Sequence, residues 1–189
     1  MAVQTVATPK TLTDALVVEL YRVKQKAEIV NGRIVLLPLN GEDPSRTGAS
    51  IAVSLRQYAK TTDTGRAYSG GVGYLVNLKT RGSFCPDASF FQGPRSGMKF
   101  LSGAPVFAVE VRSEGEYGRT AEREIAEKRA EYFDAGTLIV WDVDLLSDDV
   151  IKVYAADDPE SPRIFRRGEI ADAEPVLPDW RMPVDELFD

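Results

Sequence analysis

At 189 residues, with 43% hydrophobic and 28% charged residues, the chain has the make-up of one soluble globular domain long enough to bury a core. It has no histidine and one cysteine, Cys85, which excludes a Ser-His-Asp or Cys-His relay, a histidine-based zinc site and an internal disulfide framework. The net charge of −6 is uneven: residues 1–109 carry 13 Lys/Arg against 7 Asp/Glu, and residues 142–189 carry 5 against 14, so an anionic ligand is drawn to the first two thirds.

Any metal must be held by oxygen ligands, which suits Mg²⁺, Mn²⁺ or Ca²⁺. A single unpaired cysteine suits a reducing cytoplasm. Residues 1–10 lack a basic segment followed by an apolar run, and no apolar stretch of about 18 residues occurs, so neither secretion nor a membrane span is expected.

Residues 11–22 predict a first helix, with Thr13 placed to cap it and Leu12, Leu16, Leu20 and Val23 at helical spacing. Residues 27–36 predict a hairpin, because Asn31-Gly32 separates two β-branched runs and a type I′ turn needs positive φ at both central positions. Glu28 is thereby placed on a strand. Residues 45–58 predict a second helix, with Ile51, Leu55 and Tyr58 on one side and Ser45 or Thr47 as its cap. Gly65, Gly70, Gly71 and Gly73 punctuate short strands around Tyr68 and residues 74–78, and none of them is followed directly by the Lys-Ser/Thr that a phosphate loop needs.

Pro86 marks the start of a strand, which places Asp87 at its beginning. After a loop at 93–103, residues 104–112 predict an apolar strand interrupted by Glu110, residues 118–135 a charged helix and residues 137–143 a second apolar strand. Together these form a βαβ unit with parallel strands buried on both faces. Residues 151–154, 163–165 and 178–188 predict an antiparallel extension and a cap.

Alternation puts Ala108, Glu110 and Arg112 on one face of their strand. A carboxylate in a core strand must be held by a salt bridge, to Arg112 or another basic neighbour, or by a metal. On the following helix Ala121, Ile125, Lys128, Tyr132 and Ala135 share one stripe, so Lys128 lies in the apolar face and either snorkels to water or is held at the strand ends. Asp87 alone reads as a turn aspartate. With Glu110 on a neighbouring strand it can bind one divalent cation, beside a Lys128 ammonium that orients water or stabilises developing charge.

Pro86-Asp87 followed by Glu110-Val111-Arg112 resembles the Pro-Asp…(Asp/Glu)-x-Lys signature of restriction-endonuclease-like nucleases. The wider order is similar to the Uma2 family of endonucleases (DUF820). Glu28-Ile29-Val30-Asn31-Gly32 resembles its hairpin, Pro86-Asp87-Ala88-Ser89-Phe90 its first acidic strand, residues 103–113 its second, Lys128 and Tyr132 its Lys-x-x-x-Tyr helix, and residues 138–142 its Trp-containing strand. The match runs over residues 27–188 of a single expected domain, 1–189.

The resemblance implies an α/β (α+β) fold with a restriction-endonuclease-like core: a mixed central β-sheet flanked by helices, with an N-terminal helix and hairpin. It implies a metal-dependent endonuclease hydrolysing phosphodiester bonds of DNA. Asp87 and Glu110 would bind Mg²⁺ or Mn²⁺, Lys128 would stand for a lysine moved from strand to helix, and Arg112 and Glu28 would assist. Nucleic acid is the implied partner, and a homodimer would bring two sites to the two strands. Two departures stand out. Arg112 occupies the lysine position of the signature and, being always charged, is a poor proton acceptor; and the histidine that relatives carry near Gly48 is missing. They support an alternative, a catalytically inactive nuclease-like fold serving as a binding or assembly module, in which Asp87, Glu110, Lys128 and Arg112 form a closed ion-pair cluster.

Overall fold

The computed structural model describes residues 12–189, so the reading of residues 1–10 lies outside the described residues. Helix α1 (Asp14–Arg22) begins where expected, with the Thr13 hydroxyl accepting the Leu16 N–H at 3.3 Å. Strands β1 (Ala27–Val30) and β2 (Arg33–Leu36) form the expected hairpin, and Asn31 and Gly32 turn it at φ 50° and 70°. Helix α2 (Glu42–Thr62) starts earlier than expected, from Gly41, and neither Ser45 nor Thr47 caps it. Pro44 fits the first turn, where its missing N–H leaves no bond unmade, and Glu42 and Asp43 complement the positive end of the helix dipole. The Thr47 hydroxyl is instead buried and donates to the Leu187 carbonyl at 2.9 Å.

Four short strands follow: β3 (Arg66–Ser69), β4 (Tyr74–Leu75), β5 (Ser83–Phe84) and β6 (Ala88–Phe91). Strand β7 (Leu101–Ser102) arises within the segment expected to be loop, because it pairs in parallel with β4. The βαβ unit is β8 (Phe107–Val111), α3 (Arg119–Asp134) and β9 (Ile139–Val143), its two strands parallel as expected. Strands β10 (Ile151–Ala155), β11 (Asp158–Phe165), β12 (Ile170–Asp172) and β13 (Arg181–Pro183) and a 3₁₀ turn, Val184–Leu187, complete the order.

The central sheet runs β11-β10-β9-β8-β6-β3, mixed because β8 and β9 are parallel and the other pairs antiparallel. One face is apolar: Phe107, Val109 and Val111 of β8 and Ile139 and Trp141 of β9 pack with Ile51 and Leu55 of α2. Phe107, Trp141 and Trp180 meet there with ring centroids 5.1–5.5 Å apart. Both indole N–H groups find acceptors, the Asp172 carbonyl and the Ser54 hydroxyl, as buried indoles require.

The opposite face is divided. Its inner part buries Ala108, Val140, Tyr74 and Phe84 with Tyr132 of α3. Two residues further along the strands the same face turns ionic: Glu110 lies opposite Asp142, and the β6–β8 register extended by one step sets Asp87 opposite Glu110. Among the described residues no helix is long and apolar enough to cross a membrane.

Candidate active site

Asp87 is placed by backbone. Its N–H donates to the Val109 carbonyl at 3.0 Å, and its Oδ2 accepts the Val111 N–H at 2.9 Å, which ties the side chain to β8. Its Oδ1 accepts the Lys26 ammonium at 2.7 Å and the Asn40 amide at 3.0 Å. Helix α2 passes so close that a Cβ at Gly48 would lie 3.3 Å from the Asp87 Cβ. Glycine here lets the helix seat the aspartate at the end of the sheet.

Glu110 Oε1 receives the Lys128 ammonium at 2.9 Å and the Tyr132 hydroxyl at 2.6 Å. These two residues are one helical turn apart on α3, which explains why both reach the same oxygen. The Lys128 ammonium also lies 3.1 Å from Glu28 Oε1. Glu28, only 2% exposed, accepts the Cys85 N–H at 2.8 Å and pairs with Arg81 at 2.6 Å. Arg81 in turn donates to Glu131 of α3 at 2.7 Å. The hairpin, the Arg81 loop, α3 and β8 are thus joined by one run of alternating charges.

The electrostatics follow from burial and these partners. Burial pushes the Glu110 carboxyl above its ordinary range; Lys128 opposes the shift and the Asp87 charge reinforces it. Burial also pushes Glu28 up, but Lys128 and Arg81 outweigh it and bring the carboxyl below its ordinary value. Burial acts to lower Lys128, and Glu110 and Glu28 more than reverse this, so its ammonium stays protonated. Lys26 is held up in the same way by Asp87. Burial and the Glu110 charge keep Tyr132 a neutral phenol, able to donate.

Arg112 stands apart from this run. It does not pair with Glu110; its Nε and Nη2 meet the two oxygens of Asp142 at 2.8 and 2.7 Å, and its outer side holds Glu122. Of the five residues expected at the site, Asp87, Glu110, Lys128 and Glu28 are therefore tied together through Lys128 and the Asp87–Glu110 register, whereas Arg112 closes a separate clamp. Lys26, Asn40 and Tyr132 join the site beyond what the sequence reading assigned. Both groups line one cleft of about 80 Å³, bounded by Lys26, Asn40, Asp87, Glu110, Arg112 and Lys128.

The donor set fits a small divalent cation held largely by water. Among the described residues no cluster of three or more His, Cys, Asp or Glu side chains is arranged to hold a metal. Mg²⁺, however, commonly uses one or two carboxylates and keeps several waters. Asp87 and Glu110 supply two neighbouring carboxylates that line the cleft, and a cation there would oppose the upward push that burial and the Asp87 charge give Glu110.

The Uma2 family model, described as "Putative restriction endonuclease", matches residues 17–185. The chain is also similar in structure to a protein described as "a putative nuclease belonging to DUF820" from Anabaena variabilis. The two share 17% identity at a TM-score of 0.69, over 91% of this chain and 96% of that one, a likeness that shows a common mixed α/β fold. No curated protein matches the chain.

Proposed function

The chain belongs to the Uma2 family, and from that premise we propose that it is a metal-dependent endonuclease hydrolysing phosphodiester bonds of DNA. The observation that carries the reading is Asp87, bonded through its N–H and Oδ2 to the Val109 carbonyl and Val111 N–H on either side of Glu110 in β8, at a cleft where an ammonium group sits on each carboxylate. Asp87 and Glu110 would hold Mg²⁺ or Mn²⁺, which when bound supplies Lewis-acid polarisation of the phosphate and a more acidic water.

Lys128, kept protonated between Glu110 and Glu28, orients water and stabilises charge that develops on the phosphate oxygens; it does not accept a proton. Glu28 positions Lys128, and Tyr132 positions Glu110. Arg112 acts indirectly, by bracing β8 and β9 against α3 through Asp142 and Glu122. On this reading residues 1–189 are one cytoplasmic domain that pairs with a second copy to cut both strands.

The test is nicking of supercoiled plasmid with Mg²⁺ or Mn²⁺ and with EDTA. Metal-dependent nicking that disappears in Asp87→Ala supports the reading; a wild type that leaves plasmid intact with either cation overturns it. The ion pairs of Asp87 and Glu110 with lysines favour a second reading, a silent nuclease-like module, and that second outcome would establish it.

A further inference from the structure

The two lysines on the carboxylate pair are held differently. Lys128 is tied to Glu110 and also to Glu28, whose other contacts, to Arg81 and the Cys85 N–H, are independent of the cleft. If Glu110 turned to another cation, Lys128 would still have its Glu28 anchor. Lys26 has Asp87 as its one ion-pair partner among the described residues. It also sits on Asp87 Oδ1, the oxygen that bears the Asn40 contact too, whereas Oδ2 is committed to the Val111 backbone N–H. A cation arriving at Asp87 therefore meets Lys26 first.

The position of Lys26 makes displacement feasible. Its side chain is 19% exposed, and it borders both the cleft and a second cavity beside Tyr21, Cys85 and Phe100. A four-carbon stem on a wall between two open spaces can swing without unmaking a packed core.

We propose that Lys26 occupies Asp87 Oδ1 as an exchangeable counter-charge: a divalent cation displaces it, and the released ammonium becomes a contact for the anionic phosphate backbone of the substrate. The proposal rests on the nuclease reading and adds to it a second lysine with a role different from that of Lys128. The exchange makes and breaks no covalent bond; one cation replaces another on the same oxygen. It also links the two ligands, because the site exposes an anion-binding group only once the cation has arrived.

The experiment is isothermal titration of Mn²⁺ into the wild type, Lys26→Met and Lys26→Gln. It is followed by anisotropy of a fluorescent duplex oligonucleotide in saturating Ca²⁺, with thermal melts as a check on folding. Lys26→Gln keeps an N–H donor toward Asp87 and serves if Lys26→Met fails to fold. The expected result is Mn²⁺ binding about ten-fold tighter in the variants than in the wild type, with oligonucleotide binding about ten-fold weaker. Mn²⁺ binding that is unchanged or weaker overturns the exchange, as does unchanged oligonucleotide binding. Mn²⁺ binding by wild type and variants alike defeats the exchange while leaving the nuclease reading in place; absence of Mn²⁺ binding from all three defeats both.

Discussion

Glu110 and Asp142 lie opposite each other on β8 and β9, on the same face of the sheet, yet their surroundings differ in kind. Asp142, 4% exposed, has both oxygens met by the planar fork of Arg112, and Glu122 closes the far side of the guanidinium. Glu110 receives an ammonium and a phenol on a single oxygen, keeps a quarter of its side chain exposed, and is pushed toward the neutral form by burial and by Asp87. A satisfied bidentate pair is a brace; a carboxylate under strain from its neighbour, in a cleft, is where chemistry is expected. A step of one strand separates the two.

The sharpest way to break this contrast is Arg112→Met, which leaves Asp142 buried without its cation. The expected cost is about 3–5 kcal/mol, a fall in melting temperature on the order of 10 °C; a loss below about 1 kcal/mol would mean that the brace is decorative. Next comes Asp87→Asn, expected to lower metal-dependent cutting at least about a hundred-fold while circular dichroism and the melt stay close to wild type. Collapse of the fold in this variant would put Asp87 with the brace instead.

Glu110→Gln is expected to lie between neutral and about 1 kcal/mol more stable at neutral pH, measured by denaturant unfolding. The Glu110 carboxyl is raised in the folded state, so its stabilising contribution is complete below the unfolded value of about 4.3 and is lost as pH rises through the folded one. Wild type should therefore lose ground to the variant as pH rises, and a variant less stable at pH 7 would contradict this. The smallest effect belongs to Arg163→Ala, whose partner Asp172 is on the surface side of β12: about 1 kcal/mol or less. Asp172 is lowered on folding, its bonds from Arg163 and the Glu174 N–H outweighing burial. That contribution is present above about pH 4 and fades as pH falls through the folded value, which an acid titration of stability would follow.

What the chain's local patterns announced was whatever depends on periodicity or turn chemistry. The Asn31-Gly32 hairpin, the Thr13 cap, the parallel β8–α3–β9 unit and the Lys128–Tyr132 stripe each follow from neighbouring residues, and all four are present. What was missed depends on contacts between distant segments. Lys26 reaches Asp87 across 61 positions, and Arg81 reaches Glu131 across 50. One signal was available: Lys26 and Glu28, two apart around the start of β1, point to the same side, so a strand that places Glu28 at a site places Lys26 there too. Asp142 was counted with the acidic tail when its register on β9 sets it beside Glu110, and that register also decides where Arg112 goes. Alternation alone put Arg112 on the face of Glu110; only the pairing of strands shows that its fork is met by Asp142.

The most direct measurement is isothermal titration of Mn²⁺ into wild type, Asp87→Asn and Glu122→Gln, the last touching only the Arg112 brace. One Mn²⁺ site in the wild type, weakened at least about ten-fold in Asp87→Asn and unchanged in Glu122→Gln, is the expected result. Equal binding by wild type and Asp87→Asn, or no binding by the wild type, would contradict the assignment of the Asp87–Glu110 pair as the metal centre.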